Sequence, residues 1–83
     1  MENRRFPDDE GRLWEAVAVP RQVAHLKEGA ALAFRPAEDP AAALLPTEIT
    51  FNSMAAAATA LATMGEKELQ RRLEWAQVEA GRV

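Results

Sequence analysis

General acid–base catalysis, metal binding and nucleophilic attack each need particular side chains brought together, and this chain offers few of them. His25 is its single histidine. A catalytic or metal-binding imidazole needs a carboxylate, a hydroxyl or a second ligand beside it, and the charged residues near it in sequence are Lys27 and Glu28. His25 therefore reads as a structural histidine, on the surface or half-buried. Asp8, Asp9 and Glu10 precede Gly11 as acids do in a calcium loop, but the alternating oxygen ligands and closing glutamate are missing. They read as a solvated acidic turn, and Glu38 and Asp39 as loop charge. The glycines at 11, 29, 65 and 81 stand apart, whereas a phosphate cradle needs them clustered at a helix start. Thr47, Thr50 and Ser53 have no activating base in view. Zero cysteines remove disulfides, thiolate zinc sites and cysteine nucleophiles together. The expectation is a protein with no catalytic residue, no metal and no cofactor.

Recognition chemistry is better represented. Leu69, Leu73, Ala76 and Ala80 recur at the spacing of a buried helical stripe, and Trp75 lies well off its centre with Arg71, Arg72, Val78 and Glu79 as helical neighbours. Tryptophan and arginine are enriched at interface hot spots, where the ring fills a pocket and excludes water. Two placements are open for Trp75: it faces a partner, or it folds back onto the strands or the edge of the core, with an arginine stacked on it. Leu44 and Leu45 pose the same choice, tucked under their loop or exposed as an apolar contact. The candidate partner-binding residues are thus Trp75, Arg71, Arg72, Leu44 and Leu45.

Lys67, Arg71 and Arg72, with Arg4 and Arg5, also suggest a basic patch for nucleic acid. Against it, Glu68 precedes Arg72 by four residues and Glu74 follows Arg71 by three, spacings that set opposite charges side by side on one helix. Net charge −3 and a pI near 5.1 argue the same way.

The elements that would position these residues follow from composition and punctuation. The chain has 83 residues, enough for one domain. Its apolar fraction is 48%, but 18 of those residues are alanine, so bulky core side chains are scarce. Such a domain is marginal alone or helped by a partner. Residues 1–11 read as a flexible arm ending in a turn at Gly11, and 12–83 as a single domain. No apolar stretch near the start suits a signal peptide, and the charge-free run 54–65 is too short and weakly hydrophobic for a bilayer. The expected setting is cytoplasmic, with no membrane partner.

Arg12–Val19, bounded by Gly11 and Pro20, suits a strand. Pro20–Glu28 suits a helical turn better than a second short strand. Leu32 and Phe34, then Ile49 and Phe51, share strand faces at a period of two. The connection from Pro36 to Pro46 is long for a hairpin. Asn52 or Ser53 caps a helix. An unbroken helix from there would run about 42 Å and overhang strands of about 17–20 Å. A break is therefore expected near Thr63–Gly65, with Thr63 and Glu66 as a capping box. The alanine-rich stretch 55–62 permits close approach to the sheet or to a symmetry mate.

The predicted fold is α+β: a small antiparallel sheet of about three strands packed against one or two C-terminal helices. Its expected core is Leu13, Val17, Val19, Leu32, Phe34, Ile49, Phe51, Leu61, Leu69 and Leu73. The functional expectation is a small non-enzymatic protein–protein interaction module or accessory, regulatory subunit, with self-association into a homodimer as one form. The alternative is a nucleic-acid-associated regulator using the basic residues of the last helix and the N-terminal arm. A small-ligand carrier needs more cavity than a chain of this length comfortably encloses.

Overall fold

A computed structural model describes residues 3–23, 26–39 and 41–81. Two eleven-residue strands, β2 (Leu13–Val23) and β3 (Leu26–Pro36), pair antiparallel with Ala16 opposite Phe34 and Ala18 opposite Leu32. β1 (Arg4–Pro7) lies on the outer edge of β2 and β4 (Leu45–Phe51) on that of β3, giving the order β1-β2-β3-β4. Helices α1 (Met54–Thr63) and α2 (Glu66–Glu79) complete an α+β fold with four strands rather than about three. α1 packs on β2, β3 and β4, while α2 touches β1 and β4.

The fourth strand comes from the segment expected to be an arm. Arg4 to Pro7 pair with Ala16 to Leu13, and three anchors hold them. Phe6 is 2% exposed and meets the Phe34 ring edge-on at 5.8 Å and 72°. Arg4 Nη1 donates to the carbonyls of Leu61 (3.1 Å) and Ala62 (3.4 Å) in the last turn of α1, which has no basic residue of its own there. Gln70 Nε2 of α2 donates to the Pro7 carbonyl at 2.7 Å.

The stretch 20–28 is also corrected. β2 continues through Pro20 to Val23 and β3 begins at Leu26, so strand replaces the expected helical turn. Proline is tolerated because β1 pairs no further along β2 than Ala16, leaving the edge beyond without a β1 partner. His25 lies outside the described residues. Pro46 likewise sits inside β4, an edge strand, rather than bounding it. Between Ala31 and Ala33 the pairing of β3 with β4 slips. There the buried Thr47 hydroxyl donates to Leu32 O at 2.7 Å and accepts from Ile49 N at 3.1 Å, so a side chain supplies the missing ladder bonds.

The core lies between the helices and the sheet face carrying Phe6, Trp14, Ala16, Leu32, Phe34 and Leu45. Leu61 of α1 and Leu69, Leu73 and Ala76 of α2 close it, and Ile49 and Phe51 pack on it half-buried. Leu32, Phe34, Leu61, Leu69 and Leu73 are core as expected, but β2 presents the other face. Trp14, Ala16 and Ala18 point to the helices, whereas Val17 is buried on the opposite side, Val19 is half-buried, and Leu13 is 51% exposed. Small alanines at 16 and 18 leave room for α1.

The helices break where expected, between Thr63 and Glu66. Ser53 Oγ accepts from Ala56 N at 3.0 Å as the α1 cap. The expected capping box does not form. Gly65 is the N-cap of α2, and Thr63 Oγ1 donates back to Thr59 O at 3.0 Å. Extended backbone at Met64 turns the chain first.

Candidate protein-interaction surface

α2 presents two different faces. Leu69, Leu73 and Ala76, at i, i+4 and i+7, are buried against the sheet. Trp75 lies roughly a third of a turn round the helix and is 67% exposed, with Val78 beside it at 56%. The inward reading of Trp75 is therefore not realised: the indole stands in solvent on a helix fixed from beneath. An arginine does stack on a tryptophan, but the pair is Arg12 over Trp14, 5.3 Å from the ring centroid.

The structure brings together three of the five candidate residues. Arg71, Arg72 and Trp75 line one shallow depression with Lys67 and Glu68. Arg72 and Trp75 also border a second depression, between α2 and β4, with Glu48, Ile49 and Glu79. They form the ridge between the two. Arg72 Nη2 holds Glu68 Oε2 at 3.4 Å across one turn. The leucine pair separates. Leu45 is 5% exposed and belongs to the core, while Leu44 stays in the 37–44 connection at 41% exposure and lines neither depression.

Of the basic residues, Lys67, Arg71 and Arg72 share one depression, whereas Arg4 and Arg5 do not join them. Arg4 is spent on the α1 carbonyls. Arg5 pairs with Glu15 at 3.6 Å, on the sheet face turned away from the helices. Neither lines the depressions beside Arg71 and Arg72.

A cleft of about 490 Å³ runs between β4 and the end of α2, with Arg21, Thr47, Glu48 and Glu79 among its walls. Arg21 Nη1 donates to Thr47 O at 3.4 Å and the Thr47 hydroxyl is satisfied within the sheet. No unpaired buried polar side chain is left among the described residues to orient a ligand.

Two carboxylates escaped sequence reasoning as organising groups. Glu15 is 7% exposed, and its Oε1 receives Arg35 Nε and Nη2, both at 2.8 Å. Arg5, Glu15 and Arg35 are register partners across three strands, so one carboxylate lies between two guanidiniums. Asp8 accepts from Glu10 N (2.8 Å), Arg12 N (2.9 Å) and Trp14 Nε1 (2.9 Å). A glutamate amid the apolar residues of β2 was the visible signal for the first; an Asp three residues before a glycine was that for the second.

Both groups titrate below their ordinary range. Burial pushes the Glu15 carboxyl up, but hydrogen bonds from Arg35 and Asn3 and the charges of Arg35 and Arg5 outweigh it. Burial likewise raises Asp8, and its three donors with the Arg12 charge outweigh that. A carboxylate held lower in the folded than in the unfolded chain stabilises the fold above the unfolded pKa, and that contribution disappears as pH falls through the folded value. The ordinary values are 4.5 for Glu15 and 3.8 for Asp8. Thermal unfolding is therefore expected to show a melting temperature that falls on acidification below about pH 4.5. Glu15→Gln is expected to melt lower at neutral pH and to flatten that acid slope. An unchanged slope would remove Glu15 from the account.

Compared with family models, curated proteins and solved structures, the chain matches none. No helix among the described residues is long and apolar enough to cross a membrane.

Proposed function

We propose that this chain is a small non-enzymatic docking module that binds a protein partner through the outer face of α2. One observation carries the reading: Trp75, 67% exposed, stands on a helix whose other face is locked into the core by Leu69, Leu73 and Ala76. A large aromatic with two rotatable side-chain bonds, presented by a fixed helix, loses little conformational freedom on binding and gains burial of its exposed apolar surface. Arg71 and Arg72 beside it match the composition of binding hot spots. A cytosolic setting belongs to the proposal, supported by the absence of cysteine.

The test compares affinity-tagged wild type with Trp75→Ala and Leu13→Ala in cells of the native source, with partners quantified after cross-linking. Leu13 is 51% exposed on the sheet face turned from the helices, so its removal controls for non-specific adhesion. Trp75→Ala is expected to weaken partner retention about 30-fold or more, the scale of a hot spot, with an unchanged melting temperature. Leu13→Ala is expected to retain the partner. Equal retention by all three proteins would overturn the reading.

A further inference from the structure

We infer that the outer face of α2 docks on the same face of a second copy of this chain, with the two helices antiparallel and Trp75 beside the two-fold axis. This rests on the docking reading and names its partner. The charge order around Trp75 is self-complementary. Arg71 lies four residues before it and Glu79 four after, so both share its stripe on the helix surface. Each stands about 6 Å from Trp75 along the axis, on opposite sides. Among the described residues neither makes an ion pair within the chain, whereas Arg72 is engaged with Glu68.

A two-fold axis beside Trp75 reverses the second helix and brings its Glu79 level with the first Arg71. The same operation brings the second Arg71 level with the first Glu79, so one symmetric contact makes two ion pairs. Arg72 falls level with the opposing Val78 and covers it with its alkyl stem. Glu48 of β4 lines the same depression as Glu79 and Trp75, adding negative charge where the incoming Arg71 arrives. A parallel pairing would instead set Arg71 against Arg71 and Glu79 against Glu79. The charges select the antiparallel form. With only 14 residues in α2, the contact is smaller than the roughly 800 Å² per partner of a standard interface, so association is reversible and concentration-dependent.

Sedimentation equilibrium between about 10 μM and 1 mM is expected to show wild type passing from monomer to dimer. Arg71→Glu and Glu79→Arg, each alone, turn both ion pairs into repulsions and are expected to weaken dimerisation about tenfold or more. Mixed in equal amounts, the two variants are expected to associate about as well as wild type, since one contact is reversed in sign and the other is native. Both positions are exposed, and unchanged melting temperatures would verify the fold. Wild type that stays monomeric at 1 mM, or a mixture no tighter than its components, overturns the inference. Should the chain stay monomeric while Trp75→Ala still releases a partner, only the self-pairing fails. If Trp75→Ala also releases nothing, both readings fail.

Discussion

Replacing Phe6 with alanine is expected to leave the chain largely unfolded at physiological temperature. Phe6 is 2% exposed and packs edge-on against Phe34 in a cluster that includes Trp14 and Leu73. Truncating a buried phenylalanine costs about 3–5 kcal/mol, including the cavity left behind. A domain of this length holds roughly 4–12 kcal/mol in total, and a core so dependent on alanine sits toward the low end. The measurement is urea unfolding followed by circular dichroism. Wild type should give one cooperative transition, and Phe6→Ala a midpoint near zero urea or none at all. Arg5→Ala, at an exposed position on the same strand, should shift the midpoint only slightly. A normal midpoint for Phe6→Ala would mean that β1 is dispensable and that the first residues behave as an arm after all.

That contrast explains where sequence reasoning ran short. Arg4–Pro7 is only four residues long and carries one apolar side chain able to fill a core. No periodicity can be read from so little, and the strand exists because Phe6, Arg4 and Pro7 find partners far along the chain. The turn 20–28 failed for a related reason. Proline at 20 reads as an element boundary, and it is acceptable within a strand because β1 does not pair with β2 beyond Ala16. For β2 itself both alternating faces are partly apolar, so pattern alone did not decide which one meets the helices. The better hydrophobes Val17 and Val19 lost to Ala16 and Ala18 because close packing of α1 needed small side chains. By contrast, the leucine stripe of α2 and the break before Glu66 were legible, since helix period and strand length are local quantities.

The surface was legible in part. The 3.6-residue period alone puts Trp75, Arg71 and Arg72 on one side of α2 and away from Leu69 and Leu73, so their joint placement required no tertiary information. Whether the indole then folded onto the sheet depended on how α2 lies across β1 and β4. Leu44 and Leu45 are adjacent residues with different fates because a strand begins between them: Leu45 faces Phe34 across the ladder, and Leu44 ends the connection. The buried Glu15 was not legible as an organising group, because its two arginines come from sequence positions 10 before and 20 after; only pairing register unites them.

Asp8→Ala is expected to destabilise the protein by about 1–3 kcal/mol, more than an ordinary loop substitution. The side chain organises the β1–β2 turn. Its Oδ1 accepts the backbone N–H groups of Glu10 and Arg12, while Gly11 takes the left-handed backbone (φ 83°) that the turn requires. Its Oδ2 accepts the indole N–H of Trp14, a residue 5% exposed. The two backbone hydrogen bonds are exposed to water and contribute little each, whereas the indole N–H, left unmet on a buried residue, costs about 1–3 kcal/mol. Asp8→Asn separates the contributions. The amide oxygen can still serve the two backbone donors, but its NH₂ group meets the indole N–H donor to donor, so a loss of about 1–2 kcal/mol is expected. The Trp14 indole N–H resonance should move upfield in both variants, and the acid slope of stability should flatten in both because the depressed carboxyl is gone. If Asp8→Ala unfolds like wild type and the resonance stays in place, then backbone pairing between β1 and β2, not this carboxylate, holds the turn and seats Trp14 beneath the helices.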